Sequence, residues 1–116
     1  MTITLYHNPR CSKSRAALER LRARGIEPTI VEYLRTPPDE PTLRHLLRLL
    51  GLRAVDVARR GEAAWAAAGL GPDSADDAVI AAMLRHPILI ERPIAIAGER
   101  AVIGRPPENV DSLLDG

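Results

Sequence analysis

Short alternating runs at both ends of the chain flank a middle in which apolar residues recur every three or four positions. Thr2–Tyr6 (TITLY) alternates and is β-branched, which predicts a strand, and Asn8-Pro9 breaks it. Ser12–Arg24 holds good helix formers, with Leu18 and Leu21 set to face inward and Gly25 as the stop. Thr29–Tyr33 (TIVEY) reads as a second strand. A strand–helix–strand order within the first 33 residues is a βαβ unit, so the two strands are expected to be parallel with a right-handed crossover.

Thr36-Pro37-Pro38-Asp39 opens a helix in which Leu43, Leu46, Leu47 and Leu50 share one face, and Gly51 closes it. Leu52–Leu70 is helical in pieces around Trp65, with Gly61 a break. Ser74 followed by Asp77 resembles a capping box, and Val79, Ile80, Met83 and Leu84 form the stripe of the helix that His86-Pro87 ends. Pro93–Ala97 and Ala101–Ile103 flank Gly98-Glu99, a hairpin signal. Pro106-Pro107 then starts a short helix with Val110, Leu113 and Leu114 inward. The order β-α-β, helices, β-β-α predicts an α/β fold: a small mixed β-sheet flanked by helices, with a helical insertion at about 39–86 between its βαβ and ββα halves.

Composition narrows the setting. At 116 residues a single domain over 1–116 is expected, and 46% hydrophobic residues make it globular. With no Phe, one Trp and two Tyr, the core must be aliphatic. A net charge of +1 argues against nucleic acid as a partner. Residues 1–6 enter the strand pattern with no basic segment before an apolar run, so no secretory leader is expected. No apolar run nears the ~20 residues of a membrane span. One cysteine cannot form an internal disulfide, and a reducing, cytoplasmic setting fits best. No metal site and no bound cofactor are expected, and one core accounts for the apolar stripes, so a monomer is expected. Fifteen of the sixteen basic residues are Arg, so an arginine carries an argument only through its position.

The chemistry centres on His7-Asn8-Pro9-Arg10-Cys11-Ser12-Lys13-Ser14-Arg15, where the lone cysteine stands at the predicted start of a helix. Unpaired N–H groups and a partial positive charge at that end favour thiolate over thiol. Making thiolate the main form of an ordinary cysteine at neutral pH takes about 2.7 kcal/mol. A helix terminus supplies roughly 0.3–2 kcal/mol of it. His7, Arg10 and the Ser14 hydroxyl are the local candidates for the remainder. A lone cysteine is most often a small core residue, but Arg10, Ser12, Lys13 and Ser14 are not core company.

Two thiol chemistries fail on spacing. A phosphatase Cys-x5-Arg loop needs arginine at position 17, where Ala17 stands and Arg15 is two positions early. A Cys-x-x-Cys redox pair needs a second cysteine where Ser14 stands. A reductase with one cysteine cannot resolve its own oxidised intermediate and must take electrons from an external thiol.

The loop from His7 to Arg15 resembles the active-site loop of the glutaredoxin-coupled arsenate reductase family, most of all its short bacterial branch. Three further stretches agree in order and spacing: Tyr33–Pro38 (YLRTPP), His86–Ile94 (HPILIERPI) and Ile103–Glu108 (IGRPPE). The resemblance covers essentially the whole chain and implies a thioredoxin-like fold with a helical insertion. It implies that the Cys11 thiolate attacks arsenate, with glutathione as co-substrate and glutaredoxin completing the reduction to arsenite. His7 and Ser14 are expected to be catalytic together with Cys11. The family's three oxyanion-binding arginines map onto Arg59, Arg92 and Arg105, with the adjacent Arg60 an alternative for the first. Pro93 falls at the cis proline of thioredoxin-like folds. Arginine forks suit a tetrahedral oxyanion and would stabilise both thiolate and the charge that develops on attack.

Two other readings stay open at this point. One is a monothiol, glutathione-dependent oxidoreductase for another substrate, since selenate, phosphate or a glutathione carboxylate suits the same arginines. The other is a redox-linked transcriptional regulator binding RNA polymerase, which the missing second cysteine at Ser14 disfavours.

Overall fold

The structure, a computed structural model, describes residues 2–114, which divide into two compact units, 2–36 with 92–114 and 37–91. The first is built from β1 (Thr4–Tyr6), α1 (Ser12–Ala23), β2 (Thr29–Val31), β3 (Ile94–Ala97), β4 (Arg100–Ile103) and a closing 3-10 helix, Pro107–Leu113. Its four strands lie in the order β2-β1-β3-β4. The β1–β2 pair is parallel, as the βαβ spacing requires, and β3 runs antiparallel to both β1 and β4. This is the thioredoxin-like α/β arrangement.

Leu5 in β1 and Ile3 just before it are buried on one face, where they meet Ala17, Leu18 and Leu21 of α1 and Val110 and Leu113 of the 3-10 helix. Burying each large aliphatic side chain stabilises the unit by roughly 1.5–3 kcal/mol. The expectation of a purely aliphatic interior fails at Tyr33 and Trp65, which are buried as well, but this cluster is aliphatic and fixes α1 against the sheet. That matters for function, because the cysteine sits at the N-cap of α1.

Several predicted boundaries shift. The second strand ends at Val31 rather than Tyr33, because the Arg35 and Thr36 amides both donate to the Glu32 carbonyl and turn the chain, at 2.8 and 3.0 Å. Tyr33 is nonetheless fully buried. The first strand begins at Thr4, and the predicted C-terminal helix is a 3-10 helix.

The inserted unit holds α2 (Glu40–Leu50), a 3-10 turn at Ala54–Val57, α3 (Ala63–Ala67), α4 (Asp76–Arg85) and a 3-10 turn at Pro87–Leu89. Asp39 caps α2 by accepting from the Thr42 amide at 2.9 Å, and Gly51 ends it in the left-handed conformation at φ 67°. Leu43, Leu46, Val79, Ile80 and Met83 are buried, matching the stripes in the sequence. The capping box expected at Ser74 does not form. The Ser74 hydroxyl instead accepts from the Gly71 amide, closing the preceding turn, and α4 starts after Ala75. Asp76 in its first turn accepts from the Ala54 amide at 3.1 Å. Among the described residues no helix is long and apolar enough to cross a membrane.

Candidate active site

The loop after β1 is a turn that the local sequence dictates. Pro9 pre-sets the second position, the Asn8 carbonyl accepts from the Cys11 amide at 2.9 Å, and the Asn8 side chain accepts from the Arg10 amide at 3.0 Å. Arg15 reaches back from the first turn of α1 to the Pro9 carbonyl at 2.9 Å. Cys11 is thereby placed as the N-cap of α1, extended at φ −96° and ψ 123°, with its carbonyl already accepting from the Arg15 amide. An N-cap side chain ordinarily accepts from the second or third amide of the helix, and here a sulfur occupies that place. No acidic residue stands in the first turn to offset the positive end of the helix.

Cys11 is half-buried. Desolvation alone would raise its pKa. The Ser14 amide, the Arg92 guanidinium and the Lys13 amide act against it and hold the thiol below its ordinary value. The charge of Arg92 adds to the same effect. Arg105 lies beside them, its Nη1 donating to the sulfur at 3.8 Å and to the Arg92 carbonyl at 3.4 Å. Arg92 is buried and Arg105 exposed, so two guanidinium groups approach the thiol, one from within the fold and one from solvent.

His7 and Ser14 form the buried floor of the loop. The Ser14 hydroxyl accepts from the Asn8 amide at 3.0 Å, and His7 Nδ1 lies 2.6 Å from the same oxygen. The hydroxyl's hydrogen bonds therefore go to the loop, and it is the Ser14 amide that bears on the sulfur. His7 is also tied by its amide to the Val31 carbonyl at 2.9 Å, which extends the β1–β2 pairing. Burial lowers its pKa; Glu32 opposes this, and Arg22 and Arg15 add to it. His7 thus acts on the loop through Ser14. Arg10 is exposed.

Arg59 belongs to the inserted unit. Its amide donates to the Leu89 carbonyl at 2.7 Å, its Nη1 donates to Glu91 at 2.9 Å, and Glu62 stands 3.9 Å from its Nε. Arg60 is exposed, whereas Arg59 is half-buried and held by these carboxylates. Among the described residues, no group of three or more His, Cys, Asp or Glu is placed to hold a metal.

Pro93 is buried, and the Arg92–Pro93 bond is cis as expected. The Arg105–Pro106 bond is also cis, in a proline read from sequence only as a helix start. Two further residues escaped that reading. Gly104 donates its amide to the Pro93 carbonyl at 2.8 Å and leaves no room for a side chain: a Cβ there would lie 2.8 Å from Pro93 Cγ. Asn109 donates from its side chain to the Ile103 and Arg105 carbonyls, at 3.1 and 3.2 Å, and so holds the segment bearing Arg105. The glycine before Arg105 was the available signal for the first; Asn109 had none.

Known proteins share this design. The ArsC family profile matches residues 6–113. The Escherichia coli K12 protein YfgD is 46% identical over 110 residues, covering 93% of this chain and 92% of its own. An arsenate reductase of Neisseria meningitidis serogroup A is 44% identical over 114 residues, 97% of each chain. The structure of an arsenate reductase from Vibrio cholerae superposes with a TM-score of 0.93 at 42% identity, covering 97% of this chain and 98% of that one. Since the family match spans nearly the whole chain and takes in the Cys11 loop, the chain belongs to the ArsC family.

Proposed function

We propose that this chain reduces arsenate to arsenite, with Cys11 as nucleophile and with glutathione and glutaredoxin as external thiol donors. One observation carries the reading: a single half-buried thiol at a helix N-cap, held toward thiolate by backbone amides and Arg92, with Arg105 at the same sulfur. The curated relatives named arsenate reductase support the choice of oxyanion.

The thiolate attacks arsenic, an S–As bond forms and one oxygen leaves as water, with arsenic still pentavalent. Arg92 and Arg105 neutralise charge on the oxygens as it builds. Two electrons are then needed, and one cysteine cannot supply them without a partner. Glutathione adds to arsenic, displacing a second oxygen as water. Attack by glutaredoxin on the glutathione sulfur forms a disulfide and leaves the electron pair on arsenic, now trivalent and still held by Cys11. Hydrolysis of that last S–As bond releases arsenite and restores the thiol. In sum two external thiols become one disulfide while arsenate loses one oxygen as water. Arg59 is the third candidate oxyanion ligand, and a reducing compartment such as the cytoplasm keeps Cys11 competent.

The test is arsenate-dependent oxidation of glutathione by the purified chain with glutaredoxin. Cys11→Ser abolishes turnover, and Arg92→Gln lowers it and moves the midpoint of Cys11 alkylation to higher pH. Arsenate turnover that survives Cys11→Ser would sink the assignment.

A further inference from the structure

We propose that the cleft beside the Cys11 loop seats the external thiol, and that its residues select a small peptide thiol of the glutathione type. The inference rests on the function proposed above and concerns a different set of side chains from the oxyanion ligands. The cleft has a volume of about 430 Å³ and is lined in part by His7, Pro9, Arg10, Glu32, Leu34 and Arg35. That volume falls within the roughly 300–1,000 Å³ of small-ligand sites.

Position is the first argument. The cleft wall ends at Arg10, the residue before Cys11, and neighbouring Cα atoms are about 3.8 Å apart. An extended tripeptide spans about 10 Å, so a ligand seated here runs along the loop that carries Cys11.

Charge is the second. A γ-glutamyl tripeptide thiol presents a carboxylate at each end and an ammonium group beside one of them. The cleft presents two guanidinium groups, Arg10 and Arg35, and one carboxylate, Glu32. Arg10 is exposed. Arg35 approaches Glu32 at only 3.8 Å, with side chains 79% and 39% exposed, a pairing that a ligand easily replaces. We assign the two arginines to the carboxylates and Glu32 to the ammonium. Pro9 and Leu34 supply an apolar wall for the peptide's methylene groups, and Leu34 is one of three large hydrophobic side chains left exposed among the described residues.

The experiment has two arms on the full chain. In the first, S-methylglutathione, which binds but cannot react, is titrated into wild type, Arg10→Ala, Glu32→Gln and Arg35→Ala while amide shifts of His7, Asn8, Arg10 and residues 32–35 are followed by NMR. Saturable shifts in wild type, with affinity weakened about tenfold in each variant, are expected, the loss of one charge-assisted contact. In the second, kcat/KM for glutathione is compared with that for 2-mercaptoethanol, which has neither carboxylate nor ammonium. The preference for glutathione falls about tenfold in the variants. Arsenate reduction with an unchanged preference in all three variants overturns the cleft and leaves the function standing. Saturable S-methylglutathione binding in a chain that does not reduce arsenate does the reverse. Dependence on glutaredoxin alone, with no S-methylglutathione shifts, assigns the reductant to a protein thiol and also overturns the cleft.

Discussion

Gly104 is where packing and chemistry meet most closely. A methyl group placed on it lies 2.8 Å from Pro93 Cγ, 3.3 Å from Val110 Cγ1 and 3.5 Å from Ala17 Cβ. The last two contacts can be absorbed; the first cannot, because a proline ring has no free rotor to move aside. Overpacking of this kind costs about 1–3 kcal/mol. Against it stands a gain of about 0.4–1 kcal/mol, since alanine restricts the unfolded chain and the backbone here is not left-handed. The net expectation for Gly104→Ala is a loss of about 1–2 kcal/mol, or a Tm lower by about 4–8 °C for a chain of this size. Pro93 directly follows Arg92 and Gly104 directly precedes Arg105, so the displacement falls on both guanidinium groups at the sulfur. Urea unfolding reads the first effect, and the pH dependence of Cys11 alkylation by iodoacetamide reads the second, with its midpoint moving up. Gly71→Ala is the control, because nothing lies within 4 Å of a Cβ there. Wild-type stability together with a wild-type alkylation curve in Gly104→Ala would refute the close-contact argument.

Two other expectations concern the loop floor. Ser14→Ala removes the partner of the buried Asn8 amide and of His7 Nδ1, a loss of about 1–3 kcal/mol in urea unfolding. Its alkylation midpoint should move less than that of Arg92→Gln, because the Ser14 amide remains; the opposite order would show that the hydroxyl serves the thiol directly. His7 has a pKa lowered from its ordinary 6.5 by burial, so the unfolded chain takes up a proton first as pH falls. Stability is therefore full above about pH 6.5 and declines below it, and His7→Gln should flatten that slope in urea unfolding from about pH 5 to 8. A slope unchanged by the substitution places its origin elsewhere.

How much of this was written in the sequence depends on the range of the forces involved. β1, α1 and the parallel β2 follow from local rules: alternation at Ile3 and Leu5, a Pro-containing turn, inward Leu18 and Leu21, a glycine stop. The position of Cys11 at a helix start is equally local. What local rules miss is competition between equally good partners. Ser74 had an acid three residues ahead, yet its hydroxyl reaches the Gly71 amide behind it, because a closing turn offers a donor already in place. Ser14 was a candidate thiol partner by proximity in sequence, yet its hydroxyl accepts from the Asn8 amide at 3.0 Å, on the turn that Pro9 bends. The arginines at the thiol show the longest reach. Fifteen arginines made composition useless for choosing among them. Arg92 and Arg105 were reachable only through resemblance, since the strand pairing of Ile94 with Ile103 is what brings their flanking segments side by side. That pairing also explains the glycine: two segments that both turn toward one sulfur must pass each other closely. Gly104 hydrogen-bonds to Pro93 at the point of passage, where any side chain would push them apart.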